Sequence, residues 1–375
     1  DLEDMKKKII IVIILFSILA IGITAILFYR NRTKDRTMYA LINEKGERIT
    51  GYKFISVNDC SENGLILVED IFGKFGYIDC EGKYVIRPQF DAATDFENGY
   101  AYVAKTSFTL KGNKTKYGYI DETGKIVIPG KEQEQFKFAA NGLAVTRSQD
   151  TSYGDGYVDK SGEYVIPPVY SLALDFADNG LAAVGRKNGE DGYGYIDETG
   201  NYVIQPQFYD AEDFCEGMAI VTYICQNSAG EEEKIYGYIN EQGEQVTGPM
   251  FKVAFGFCNG LAVVEDINGL RGYVDKQGNY AIEPQFIYAN DFTDNGLAAV
   301  KDQNGLAGYI DKTGNYVIEP KFNYADSFSD NGLAAVQVSD TGLWGYIDET
   351  GKMVIPAIWS DAWGFNEQGF ACVEK

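Results

Sequence analysis

Carboxylates are the abundant side chains in this sequence that are able to do acid–base work: 55 aspartates and glutamates stand against 33 lysines and arginines, with no histidine. Paired acids are what glycoside hydrolysis uses, and clustered acids are what calcium binds. The spacing argues against both. Asp79, Asp121, Asp159, Asp197, Asp275, Asp311 and Asp348 each open an Asp-x-x-Gly tetrapeptide, with Asn240 as a variant, at intervals of 35 to 43 residues. In such a tetrapeptide the aspartate accepts from the backbone amides just ahead and the glycine takes a positive φ, which is the chemistry of a tight hairpin turn. One acid per turn falls short of the oxygen density a calcium loop supplies.

The missing histidine removes histidine-based triads, histidine general bases and the usual zinc sites. Cys60, Cys80, Cys215, Cys225, Cys258 and Cys372 include no C-x-x-C pair, so neither a zinc ribbon nor a dithiol redox motif is indicated. The chain is therefore read as non-catalytic, with no metal site and no cofactor. A net charge of -22 repels a nucleic-acid backbone, which excludes nucleic acid as a partner.

The turns belong to a larger pattern, seen most clearly from Gly308 to Val336, that occurs nine times from about residue 40 onward, the first copy being the worn Ala40–Asn43. Each copy holds a GYID strand, the turn, and a YVI-x-P strand. All nine prolines fall five or six residues after a turn glycine, where a missing N–H should end the pairing of that strand. Then comes F-x-x-A-x-x-F, as at Phe90, Ala93 and Phe96 or Phe322, Ala325 and Phe328, whose three-residue period predicts a turn of 3₁₀ or α-helix. A GLAAV strand closes the unit. The expected fold is an all-β repeat array, three-stranded meanders stacked in an open superhelix; a closed propeller-like ring is the alternative, because the chain starts on a GYID-type and ends on a GLAAV-type strand.

Ahead of the array, Ile9–Phe28 is twenty residues without a charge, flanked by Lys6–Lys8 and by Arg30, Arg32, Lys34 and Arg36. That length matches a bilayer's hydrocarbon core, and no small-residue cleavage site follows it. The expected organisation is a tail over 1–8, a transmembrane signal anchor over 9–28, a linker over 29–38 and the array over 39–375. The membrane protein would be single-pass with the array outside the cytoplasm.

The succession of turn, proline and phenylalanine positions resembles the WG-repeat family, with a consensus near W-G-Y-I-D-x-x-G-x-x-V-I-x-P-x-F-x-x-A-x-x-F-x-x-G-L-A-x-V. Trp344 alone keeps the naming tryptophan; Phe75, Tyr117, Asp155, Tyr193, Tyr236, Arg271 and Ala307 hold its place elsewhere. The resemblance implies interaction and not catalysis. The connections between GLAAV and the next GYID vary most in length, and two long ones differ in charge: Lys105, Lys111, Lys114 and Lys116 in one, Glu231, Glu232 and Glu233 in the other. These are the candidate binding-loop residues. They point to a protein-binding or scaffold module at the cell envelope, with cell-wall polysaccharide or peptidoglycan binding as the alternative and a carboxylate-based glycoside hydrolase as the remote one.

Overall fold

The computed structural model describes residues 37–61, 63–109, 112–130, 137–146, 154–186, 192–226, 230–248, 250–366 and 369–374. The expected anchor, Ile9–Phe28, lies outside the described residues, among which no helix is long and apolar enough to cross a membrane. The described secondary structure is antiparallel β throughout.

One unit shows how the sequence produces its strands. The tyrosine strand Ala307–Asp311 turns through Asp311–Gly314 into the proline strand Tyr316–Ala325. Asp311 Oδ1 accepts from the amides of Thr313 and Asn315 at 2.9 and 3.1 Å, and Gly314 sits at φ +84°, as the tetrapeptide requires. Gly308 has a different reason to be glycine. A Cβ there would stand 2.5 Å from the Ile318 carbonyl oxygen and 2.8 Å from Pro320 N, so the two strands approach too closely for any side chain. The register shifts at this point, from Tyr309 opposite Ile318 to Ala307 opposite Phe322. Proline therefore does not end the pairing, contrary to expectation. It occupies a bulge, where no ladder bond needs its missing N–H, and pairing resumes at the phenylalanine.

The corner also departs from expectation. Among the described residues no helical turn forms there; Tyr288–Ala289 is a short strand, and its backbone pairs with the next alanine strand, Leu297–Lys301, rather than with itself. Asn290 N extends the ladder to the Ala299 carbonyl at 2.9 Å. The apolar period survives because Ala289 and Phe292 are both buried, but extended backbone delivers it. A unit is thus a four-stranded meander of corner, alanine, tyrosine and proline strands.

Three of the six sheets run through two units and three hold one, which distributes nine units. Each sheet keeps two edges and none closes on itself. Neighbouring units pack face to face: Tyr309, Ile318 and Phe322 bury against Ala334, Val336 and Ile347 of the next. Five internal turn glycines lean on the preceding unit's isoleucine, among them Gly314 on Ile282 and Gly351 on Ile318, whereas Gly278 meets Thr247 and Val246. The two ends of the array meet. Tyr39–Asn43 pairs with Phe370–Glu374 over five residues, Leu41 opposite Cys372 and Ile42 opposite Ala371. Gly46 leans on Ile355 in the same manner as the internal glycines, so the terminal junction repeats the internal one.

Seven of the tyrosine strands carry a fully buried ring whose hydroxyl reaches the corner. Tyr309 donates to the Asp326 carbonyl at 2.7 Å. Tyr309→Phe should therefore lower unfolding free energy by about 1–3 kcal/mol, because the carbonyl is left buried and unpaired. Tyr324→Phe, whose ring is 55% exposed, should change it by less than about 0.5 kcal/mol. Urea denaturation of both variants measures the difference.

Candidate binding site

The two long connections are regular hairpins and not irregular loops. Ala101–Thr109 pairs with Gly112–Ile120, placing Lys105 opposite Lys116 and Ser107 opposite Lys114. Like charges directly across a ladder are unfavourable. Lys105 relieves this by donating to Gln89 Oε1 at 2.7 Å, and the Thr106 and Thr115 hydroxyls meet at 2.9 Å between the lysines. Lys111 lies outside the described residues. In the acidic hairpin, Met218–Gln226 pairs with Glu232–Asn240, with Glu232 opposite Gln226 and Glu233 opposite Cys225; Glu231 leads into the second strand. Lys234 sits 5.2 Å over the Tyr209 ring at its base. The two tips project from the same end of their units but stand three units apart, so the structure does not assemble the basic and acidic residues into one patch. Other units close this connection with a bare turn, as at Asp266–Gly269 and Asp302–Gly305.

A second charged feature escapes a reading by loops. The residue before the second corner phenylalanine is aspartate at Asp95, Asp175, Asp213 and Asp291. Stacking sets successive corners side by side, which brings the carboxylates of Asp175 and Asp213, on adjacent units, within electrostatic reach of each other. Asp213 is pushed up to about 6, by burial first, then by the charges of Asp175 and Glu212, with Lys137 opposing. Burial also raises Asp291, and burial together with Asp361 raises Asp326. Asn58 donates to Asp95 at 2.9 Å across the same row, beside a 220 Å³ cavity at the terminal junction that Leu41, Trp363 and Cys372 also line. The recurring A-x-D-F is the signal that could have exposed this row.

The turn aspartates behave oppositely. Hydrogen bonds hold Asp159, Asp197 and Asp348 below the usual carboxylate range, led in each case by a neighbouring Ser or Thr hydroxyl. Among the described residues, no group of three or more cysteines, aspartates and glutamates is placed to hold a metal ion. Burial pushes the Cys215 and Cys258 thiols up, which disfavours the thiolate form that nucleophilic chemistry needs.

The tryptophan position marks the edge between units. Trp344 stacks on Tyr324 with centroids 6.3 Å apart, while Arg271 lies over Phe255 and Tyr288 at the equivalent place. The model of the WG-containing repeat matches residues 75–106, 117–147, 156–189, 193–223, 236–270, 272–306, 308–341 and 344–375. The chain belongs to the WG-containing repeat family. The matched copies coincide with the structural units, and the worn first copy, which pairs with the last strand, falls outside them. No curated protein matches the chain. Among solved structures it is similar to BamB from Moraxella catarrhalis, with 11% identity and a TM-score of 0.36 over 68% of this chain and 81% of that one. It is also similar to apo AztD from Citrobacter koseri, with 13% identity and a TM-score of 0.37 over 90% and 99%. The WD40 β-propeller domain of Doa1 gives 9% identity and a TM-score of 0.31 over 90% and 96%. All three scores lie below 0.5, and the fold stands on this chain's own strand pairing.

The corner row makes stability depend on pH with a defined sign. The Asp213 carboxyl titrates near 6 in the folded chain against an ordinary 3.8, so the folded state binds its proton more tightly and stability falls as pH rises between those values. Asp213→Asn removes the charged form. Its melting temperature should exceed wild type at neutral pH and converge with it below about pH 4; thermal scans across that range check this.

Proposed function

We propose that this WG-repeat chain is a non-catalytic, membrane-anchored array whose hairpin edge binds a protein partner at the cell envelope. The observation that carries this is the pair of extended hairpins. Each continues its ladder for nine paired residues, where other units make the same connection with a four-residue turn. The fold does not need that extra length, and the two tips carry opposite charge. A partner with its own patterned surface uses such variety; a uniform polymer does not. In this reading Ile9–Phe28 is the anchor, the acidic array lies outside the cytoplasm, and the units wind about a common axis with the corners innermost and the tips along one rim. The junction of first and last strands supports the winding, because its glycine–isoleucine contact matches the internal ones.

The test is to replace Lys105–Lys116 and Thr222–Lys234 by two-residue Asn-Gly connections. Shortening a connection costs little, since each doubling of loop length changes closure by only about 0.6 kcal/mol. The truncated chain should keep its β circular dichroism and lose capture of partner from envelope extracts. Full capture by the truncated chain, together with loss on substitutions at the Asp-x-x-Gly edge, would place binding on the opposite rim.

A further inference from the structure

At the junction around the tyrosine strand Arg271–Asp275 lies a cavity of 360 Å³, near the small end of the roughly 300–1,000 Å³ that ligand clefts span. Two aromatic rings frame it, Phe255 and Tyr288, 38% and 45% exposed. Arg271 fixes both, its Cζ lying 5.2 Å from the first ring centroid and 4.9 Å from the second. Glu265 accepts from Arg271 Nε at 3.4 Å, and both side chains are largely buried. The guanidinium is thus neutralised by its own chain and occupies the place a ligand cation would take between the rings.

Polar groups share the remaining wall with Val263 and Ala289. Asn290, Asp291 and Ser327 line it, supplying an amide, a carboxyl and a hydroxyl. The Asn290 backbone is fixed by Tyr273, whose hydroxyl donates to its carbonyl at 2.7 Å. Its side-chain amide reaches Ser327 Oγ only at 3.5 Å, the outer limit of a hydrogen bond, which leaves donor capacity directed at the cavity wall. Arg271 is particular to this junction, since Phe75, Tyr117, Asp155, Tyr193, Tyr236, Ala307 and Trp344 hold its place in other units, while Phe255 shares its aromatic character with Phe136 and Trp363 at the equivalent position of the repeat. The cavity is a local feature and not a consequence of the repeat.

We propose that this cavity is a saccharide site that takes a neutral hexopyranose ring, free or at the end of an oligosaccharide. The apolar C–H face of such a ring packs on an aromatic side chain, while its hydroxyls exchange hydrogen bonds with the amide, the carboxyl and the serine. An anion would meet Asp291, and a cation would have to displace Arg271.

Calorimetric titration of the full chain tests this with glucose, N-acetylglucosamine and the β-1,4-linked trimer of each, and with choline and citrate as charged probes. At least one saccharide should bind with a Kd of about 1 mM or tighter. Tyr288→Ala and Phe255→Ala should each weaken it about tenfold or more. Ser327→Ala, a small change that keeps the fold, should weaken it measurably, and Tyr164→Ala, at a distant exposed ring, should leave it unchanged. The proposal is overturned if no saccharide binds, if Tyr288→Ala and Ser327→Ala bind as wild type does, or if choline or citrate binds more tightly at the same residues.

Discussion

A single hydrogen bond, repeated in seven units, holds the tyrosine strand to the next turn of chain. Tyr77, Tyr157, Tyr195, Tyr238, Tyr273, Tyr309 and Tyr346 each donate a hydroxyl to the backbone carbonyl seventeen residues on, at 2.6 to 2.9 Å. These rings are buried, so an unmet hydroxyl or carbonyl there would carry the full cost of desolvation. The acceptor is always in the corner. The bond therefore fixes the segment that leaves one proline strand and enters the next sheet, and the corner phenylalanine packs on the same ring, as Phe328 does on Tyr309 at 4.6 Å. Burial drives these phenols far above their ordinary range, which keeps them donors at any pH a cell reaches.

Two kinds of surface follow from that constraint. Where tyrosine, glycine and proline fix the strands, sequence freedom is small. It is large at the connection between alanine and tyrosine strands, which lengthens into the two charged hairpins. It is also large at the corner positions beside the clamped carbonyl, where the side chain is free to vary: aspartates make the carboxylate row, and Phe255 makes one wall of a cavity. The interior determines where function has room, and the chemistry of those places is local to a few units.

Much of this was legible in the residues. Asp-x-x-Gly announces its turn because the aspartate acceptor and positive-φ glycine have few other uses, and the structure places Gly200 and Gly314 at +85° and +84°. Two features were misread for physical reasons. Proline usually ends a strand, but Gly308 leaves room for a bulge that absorbs Pro320, a pairing between residues twelve apart that no local window shows. The F-x-x-A-x-x-F period suits a helical turn, yet the alanine strand competes for the same backbone groups and wins. The A-x-D-F carboxylates went unremarked because only stacking brings Asp175 and Asp213 together. The basic and acidic tips are continued ladders and not loops.

The array is fastened at both ends by the same strand pairing that joins its interior. Amide hydrogen exchange read by mass spectrometry compares the terminal strands Tyr39–Asn43 and Phe370–Glu374 directly with an internal strand such as Leu297–Lys301. Paired as described, the terminal amides should be protected to within about tenfold of the internal ones, and Leu41→Asp should release both ends together. Rapid exchange at the two terminal strands while Leu297–Lys301 stays protected would contradict it.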